Sequence, residues 1–99
     1  MNDYILFMHD DAVDRAADDG DQWGAYLTML RASNQFDGGG SIGAGECMQK
    51  NQPSRPADRK LTGFIRVRAV SLEDARRFLT GNPVYEAGGT VEIRELPRD

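Results

Sequence analysis

The sequence predicts a single α+β domain with the element order β-α-β-β-α-β. Three observations carry that expectation. Residues 61–70 alternate strictly, with Leu61, Gly63, Ile65, Val67 and Ala69 on one face and Thr62, Phe64, Arg66, Arg68 and Val70 on the other, the period of a strand whose one side meets a core. Residues 22–34 place Trp23, Tyr26, Leu27 and Leu30 at i, i+3, i+4 and i+7, the apolar stripe of an amphipathic helix. Residues 70–96 read as strand end, capped helix, sharp stop, turn and final strand.

The elements follow in chain order. Residues 3–8 are an apolar run with aromatics and read as a buried strand, Tyr4, Leu6 and Met8 on one face and Ile5, Phe7 and His9 on the other. Residues 10–21 hold six aspartates and one basic residue, Arg15. They lack the Asp-x-Asp-x-Asp-Gly order and distant Glu of a calcium loop. They read as a solvated acidic loop in which Asp21 caps the next helix, and no metal site is expected. On that helix Met29 widens the stripe. Trp23, near its start, either packs on a sheet with the rest or lines a pocket.

Residues 35–46 contain five of the eleven glycines, and residues 38–43 match G-x-G-x-x-G. The dinucleotide fingerprint needs a strand before it and a helix after it. Here a helix precedes and turn residues follow, so no nucleotide cofactor is expected. The glycines suit a kinked or bulged strand, where a missing side chain lets a partner chain or a ligand approach closely. Residues 46–60 are a polar connector with Pro53, Pro56, Lys50, Arg55, Arg59 and Lys60. Cys47 stands there with no histidine or aspartate beside it in sequence, and nothing visible lowers its pKa toward nucleophilic chemistry. On the strand at 61–70, Arg66 and Arg68 either meet Glu92, Glu95 or water, or hold an anionic ligand through their planar guanidinium groups.

In the last third, Ser71 suits a helix N-cap, with Asp74 bonding back as in a capping box and Val70 and Ala75 at the staple positions. Leu72, Ala75, Phe78 and Leu79 form the helix's apolar face. Gly81 suits a left-handed helix stop and Pro83 blocks continuation. Gly88 and Gly89 turn the chain into a strand at 90–96, with Val91 and Ile93 on one face.

Ninety-nine residues make one domain of common size, 1–99, and 39% hydrophobic residues can fill one modest core. A net charge of −4 gives a nucleic-acid partner no electrostatic support. No apolar run is long enough for a membrane span or signal peptide, and the lone cysteine fits a reducing compartment. The expected location is the cytoplasm. The element order is the ferredoxin-like plan, an antiparallel sheet with both helices on one face. The other face, carrying Phe64, Arg66 and Arg68, is left in need of cover.

The segment from Leu61-Thr62-Gly63-Phe64, through Ser71-Leu72-Glu73-Asp74-Ala75 and Asn82-Pro83, to Glu86-Ala87-Gly88-Gly89-Thr90-Val91-Glu92-Ile93-Arg94 resembles the C-terminal half of YCII-related proteins, in particular their DGPF branch. Residues 1–9 resemble the family's opening strand. The likeness spans essentially the whole chain and is weak at 10–20 and 44–60. It implies sheet-to-sheet dimerisation into a dimeric α+β barrel, with a cavity between the sheets or near the start of the first helix. Where the DGPF motif would fall, this chain reads Asn51-Gln52-Pro53-Ser54. Some YCII-related proteins carry a His near the start of the first helix and an Asp before the proline that follows the second. Those positions read Trp23 and Asn82 here, and neither does acid–base work at neutral pH.

The reading is therefore a homodimer that binds a small molecule, such as an anionic metabolite, in the barrel cavity without the His/Asp pair. Its expected ligand residues are Trp23, Asn82, His9, Arg66 and Arg68. The alternative is a cofactor-free small enzyme of isomerase, lyase or oxygenase type, using His9 or a cavity carboxylate. A carboxylate within hydrogen-bond reach of His9 in a buried pocket would favour the enzyme.

Overall fold

The computed structural model describes residues 1–13 and 20–98. Strand β1 (Asn2–His9) leads to helix α1 (Gly20–Ala32), strand β2 (Phe36–Ser41) and two short strands, β3 (Glu46–Cys47) and β4 (Arg55–Pro56). Strand β5 (Leu61–Ala69), helix α2 (Leu72–Ala75), a 3-10 turn (Arg76–Leu79), helix α3 (Pro83–Glu86) and strand β6 (Val91–Leu96) complete the chain. The four long strands pair antiparallel in the order β2-β5-β1-β6. This is the ferredoxin-like arrangement expected of the sequence.

The alternation in β1 and β5 sets the core. Tyr4, Leu6 and Met8 of β1 pair with Val67, Ile65 and Gly63 of β5, and all six are buried on the helical side. Tyr26 and Leu30 of α1, Phe78 and Val84 close over them. Burying a large apolar side chain contributes about 1.5–3 kcal/mol, so this layer is the main source of stability. The opposite face, with Ile5, Phe7, Phe64 and the charged rows, stays half open. No helix among the described residues is long and apolar enough to cross a membrane.

Several local expectations are corrected. Helix α1 spans 20–32 rather than 22–34, and Asp21 lies inside its first turn, complementing the helix dipole rather than capping. Met29 does not widen the stripe: it is 40% exposed, because one residue turns a helix by about 100° away from Leu30. Ser71 does cap α2, its hydroxyl accepting from the Asp74 amide at 3.1 Å. The Asp74 carboxylate reaches back one residue further than a capping box requires, to the Val70 amide at 3.2 Å. Val70 and Leu72 are exposed rather than packed, since the helix tightens into a 3-10 turn after one turn.

Gly81 takes φ +86 as anticipated. Pro83 does more than block: with Asn82 as N-cap it starts α3, occupying a position where no amide donor is needed. Gly88, at φ +84, turns the chain toward β6. The connector at 46–60 contains a short β3–β4 ladder, with Asn51 in the left-handed region at its tip. Of the acidic loop, the residues at 14–19, including Arg15, lie outside the described residues. Asp11, which is described, binds the Thr90 amide and hydroxyl at 2.8 and 2.6 Å and so ties the loop to the start of β6.

Candidate functional site

A cleft of about 680 Å³ lies between α1 and the sheet at its β2 edge, within the size range of small-molecule sites. One wall is a single side of α1: Trp23, Leu27 and Arg31 fall at i, i+4 and i+8. The floor is Met8, Gly63 and Ile65, and Phe36, Phe64 and Val84 add apolar surface. The far wall is the backbone of Gly38, Gly39 and Gly40, followed by Ser41.

The glycine wall follows from the register. Strand β2 bulges between Phe36 and Gly39 and then closes onto β5. A Cβ on Gly39 would stand 2.4 Å from the Phe64 carbonyl oxygen and 3.1 Å from the Ile65 Cα. Only glycine lets the two backbones meet there. The neighbouring Gly40 has ordinary room, its Cβ position being 3.6 Å from the Phe64 ring. The bulged glycine strand inferred from the sequence is thus present, and its close approach is to β5.

Trp23 is held from behind. Its ring meets Tyr26 edge-to-face, centroids 5.9 Å apart at 73°. The Tyr26 hydroxyl donates to the Phe78 carbonyl oxygen at 2.5 Å. Burial pushes the Tyr26 phenol above its ordinary pKa, and Asn82 beside it opposes part of that rise. Asn82 is fully buried. Its side-chain oxygen accepts from the Val84 and Tyr85 amides at 3.0 and 3.1 Å, while its amide nitrogen has no aligned hydrogen-bond partner. Trp23 and Asn82 are linked through Tyr26, but only Trp23 lines the cleft.

The other three residues singled out in the sequence lie on the opposite side of the sheet. His9 Nε2 is 2.9 Å from Glu92 Oε1, and the other Glu92 oxygen accepts from Arg94 Nε at 2.7 Å. The His9 bond, then the Arg94 bond, hold the Glu92 carboxyl below its ordinary pKa. Arg66 donates to the Asp37 carbonyl at 3.0 Å. Arg68 donates to the Asn34 carbonyl at 2.9 Å, and its Nε lies 3.3 Å from the Asp37 carboxylate. Both arginines therefore fasten β5 to the chain entering β2. In a polar hollow nearby, between Asp3, Asp37, Arg66 and Arg98, Arg98 bonds Asp3 at 2.7 Å and the Asp37 carboxylate lies by Arg68.

The five residues thus fall into two groups, one on each face. Arg31, Leu27, Ser41 and Thr62 line the cleft without having been singled out. The helical spacing from Trp23 was the available signal for Leu27 and Arg31. For Ser41 and Thr62 the signal appears only once the β2–β5 register is known. Among the described residues, no group of three or more His, Cys, Asp or Glu stands ready for a metal.

No family model and no curated protein matches the chain. Among solved structures it is similar to 5-chloro-2-hydroxyhydroquinone dehydrochlorinase (TftG) from Burkholderia phenoliruptrix, determined in complex with 2,5-dihydroxybenzoquinone. The two are 18% identical, with a TM-score of 0.61 over 98% of this chain and 95% of the other. At that identity the likeness establishes the fold: a small α+β domain built on a four-stranded antiparallel sheet.

Proposed function

We propose that this protein binds a small molecule in the cleft between α1 and the glycine strand, as a cytoplasmic homodimer of YCII-like type that lacks the His/Asp pair of some relatives. The observation that carries the reading is the cleft itself. It joins apolar walls, an aromatic ring fixed by Tyr26 and a few polar groups, the usual composition of a ligand site. The structural neighbour supports it, since that protein, of the same fold, was captured with a small ring compound. With Trp23 and Asn82 at the positions of the pair, this cleft offers contact and shape rather than proton transfer.

The test is a thermal-shift panel of small ring compounds that includes 2,5-dihydroxybenzoquinone. A ligand at about 100 times its Kd stabilises by about 2.7 kcal/mol, or roughly 10 °C for a domain of this size. The expected result is a saturable rise with at least one ring compound, lost in Trp23→Leu. A flat response across the panel contradicts the reading.

A second reading, a cofactor-free small enzyme of isomerase, lyase or oxygenase type, is favoured by one observation. His9 and Glu92 form a hydrogen-bonded pair at 2.9 Å with the histidine side chain only 16% exposed, the reach required of an acid–base couple. The pair faces away from the cleft, on the side of the sheet that a second subunit would cover. In this reading His9→Gln abolishes turnover of a substrate that the protein still binds. Unaltered turnover excludes His9.

A further inference from the structure

Granting that the cleft is a ligand site, we infer that its ligand is an aromatic monoanion: a flat ring bearing one anionic oxygen group. The charge of the lining points there first. The chain carries 16 acidic and 12 basic residues, yet among the described residues no carboxylate lines the cleft and Arg31 is its one ionisable side chain. From these side chains a cationic ligand would meet only repulsion. A neutral ligand would leave the guanidinium without a specific role.

The availability of Arg31 is the second observation. Arg66 and Arg68, the arginines that the sequence offered for an anion, are occupied by Asp37 and the Asn34 carbonyl on the other face. The Arg31 side chain makes no hydrogen bond or ion pair with any described residue; its backbone carbonyl accepts from the Asn34 amide at 3.2 Å. Its donor fork is open to solvent and to a ligand, and a guanidinium matches a carboxylate or phenolate oxygen through charge-assisted hydrogen bonds.

Shape supplies the rest. Arg31 follows Trp23 by eight residues, about 12 Å along the helix axis. Helical side chains lean toward the N-terminus, so the Arg31 head lies back over the turn of Leu27. A ring against Trp23 and Leu27 then places a substituent within its reach. The opposite wall, at Gly38 to Gly40, is bare backbone, and Phe36 stands beside it. Aromatic surfaces and side-chain-free backbone favour a planar body over a globular one. The Ser41 hydroxyl supplies a neutral polar contact for a further ring substituent.

The test titrates the full chain with benzoate, benzamide and benzamidine, three ring compounds of similar shape and different charge, following emission from Trp23, the single tryptophan. Benzoate is expected to bind at least tenfold more tightly than benzamide, with benzamidine weakest. Arg31→Gln should remove the benzoate advantage and leave benzamide affinity unchanged, and Arg31→Glu should favour benzamidine. Cyclohexanecarboxylate is expected to bind tenfold more weakly than benzoate. Equal affinity for the three charge types, or a benzoate preference that survives in Arg31→Gln, overturns the anion assignment while the cleft stands. Equal binding of the saturated acid overturns the aromatic part. Silence of Trp23 toward every probe, together with a flat thermal panel, removes the cleft as a site and this inference with it.

Discussion

The Tyr26 hydroxyl satisfies the Phe78 carbonyl inside the core, and its ring edge fixes the face that Trp23 turns to the cleft. Tyr26→Phe leaves that buried acceptor without its partner, which costs about 1–3 kcal/mol. Urea denaturation should show the loss, and Trp23 anisotropy should fall as its backing loosens; unchanged values in both would mean Tyr26 does not position Trp23. Titration gives a second expectation. A buried phenol with a raised pKa contributes stability that is complete below the ordinary tyrosine range and lost as pH rises through the raised value. Glu92, held low chiefly by His9, and Asp11, held low chiefly by the Thr90 hydroxyl, contribute in the opposite sense. Their stabilisation is complete above the ordinary carboxylate range and fades as pH falls through and below it. Stability should therefore fall at both extremes, and Tyr26→Phe should flatten the alkaline limb alone. Trp23 was legible as a candidate because it stands at the start of an apolar stripe. The role of Asn82 was only half legible: its place before a proline marks a turn, but a cap and a buried contact to Tyr26 appear only when helices distant in sequence meet.

Among the elements, β2 separates two neighbouring glycines. Gly39→Ala would drive a methyl into the Phe64 carbonyl and the Ile65 backbone, atoms that cannot rotate away. Gly40→Ala meets only a ring atom at ordinary contact distance. The first substitution should cost several times the roughly 0.5–1 kcal/mol scale of intrinsic glycine–alanine differences, and the second should be near neutral. Equal denaturation midpoints would show that the bulge does not hold β2 against β5. A glycine-rich strand was readable from composition, but which glycine is indispensable depends on register, which the sequence does not display. Strand β5 was readable almost to the residue, because one covered face forces strict alternation. The helix after it was read as one helix ending at Gly81, whereas it is a single α turn that tightens into a 3-10 turn at Arg76, and Asn82-Pro83 then starts α3. Its apolar face at Leu72 was misassigned for the same reason: periodicity assumes a helix longer than one turn.

At the scale of the whole molecule, one sheet face is sealed by helices and the other is half open, with Ile5, Phe7 and Phe64 between charged rows. Exposed apolar sheet surface of this kind is usually covered by a partner. Sedimentation should give a symmetric dimer of about twice the 11.0 kDa chain mass; a stable monomer at micromolar concentration would leave that face to solvent. The two-sided sheet also explains why the sequence mixed its candidates. His9, Arg66 and Arg68 were assigned to the same mouth as Trp23, but strand alternation puts them across the sheet from it. The question that decides function is which face receives the ligand. The most direct measurement is a two-dimensional amide spectrum of the 15N-labelled chain titrated with benzoate. Binding in the cleft should move the Trp23 indole and the Gly39 and Gly40 amide signals together and saturably, while Glu92 and Arg94 stay still. Shifts gathered on His9, Glu92, Arg66 and Arg68, with the glycine amides unmoved, would contradict the assignment.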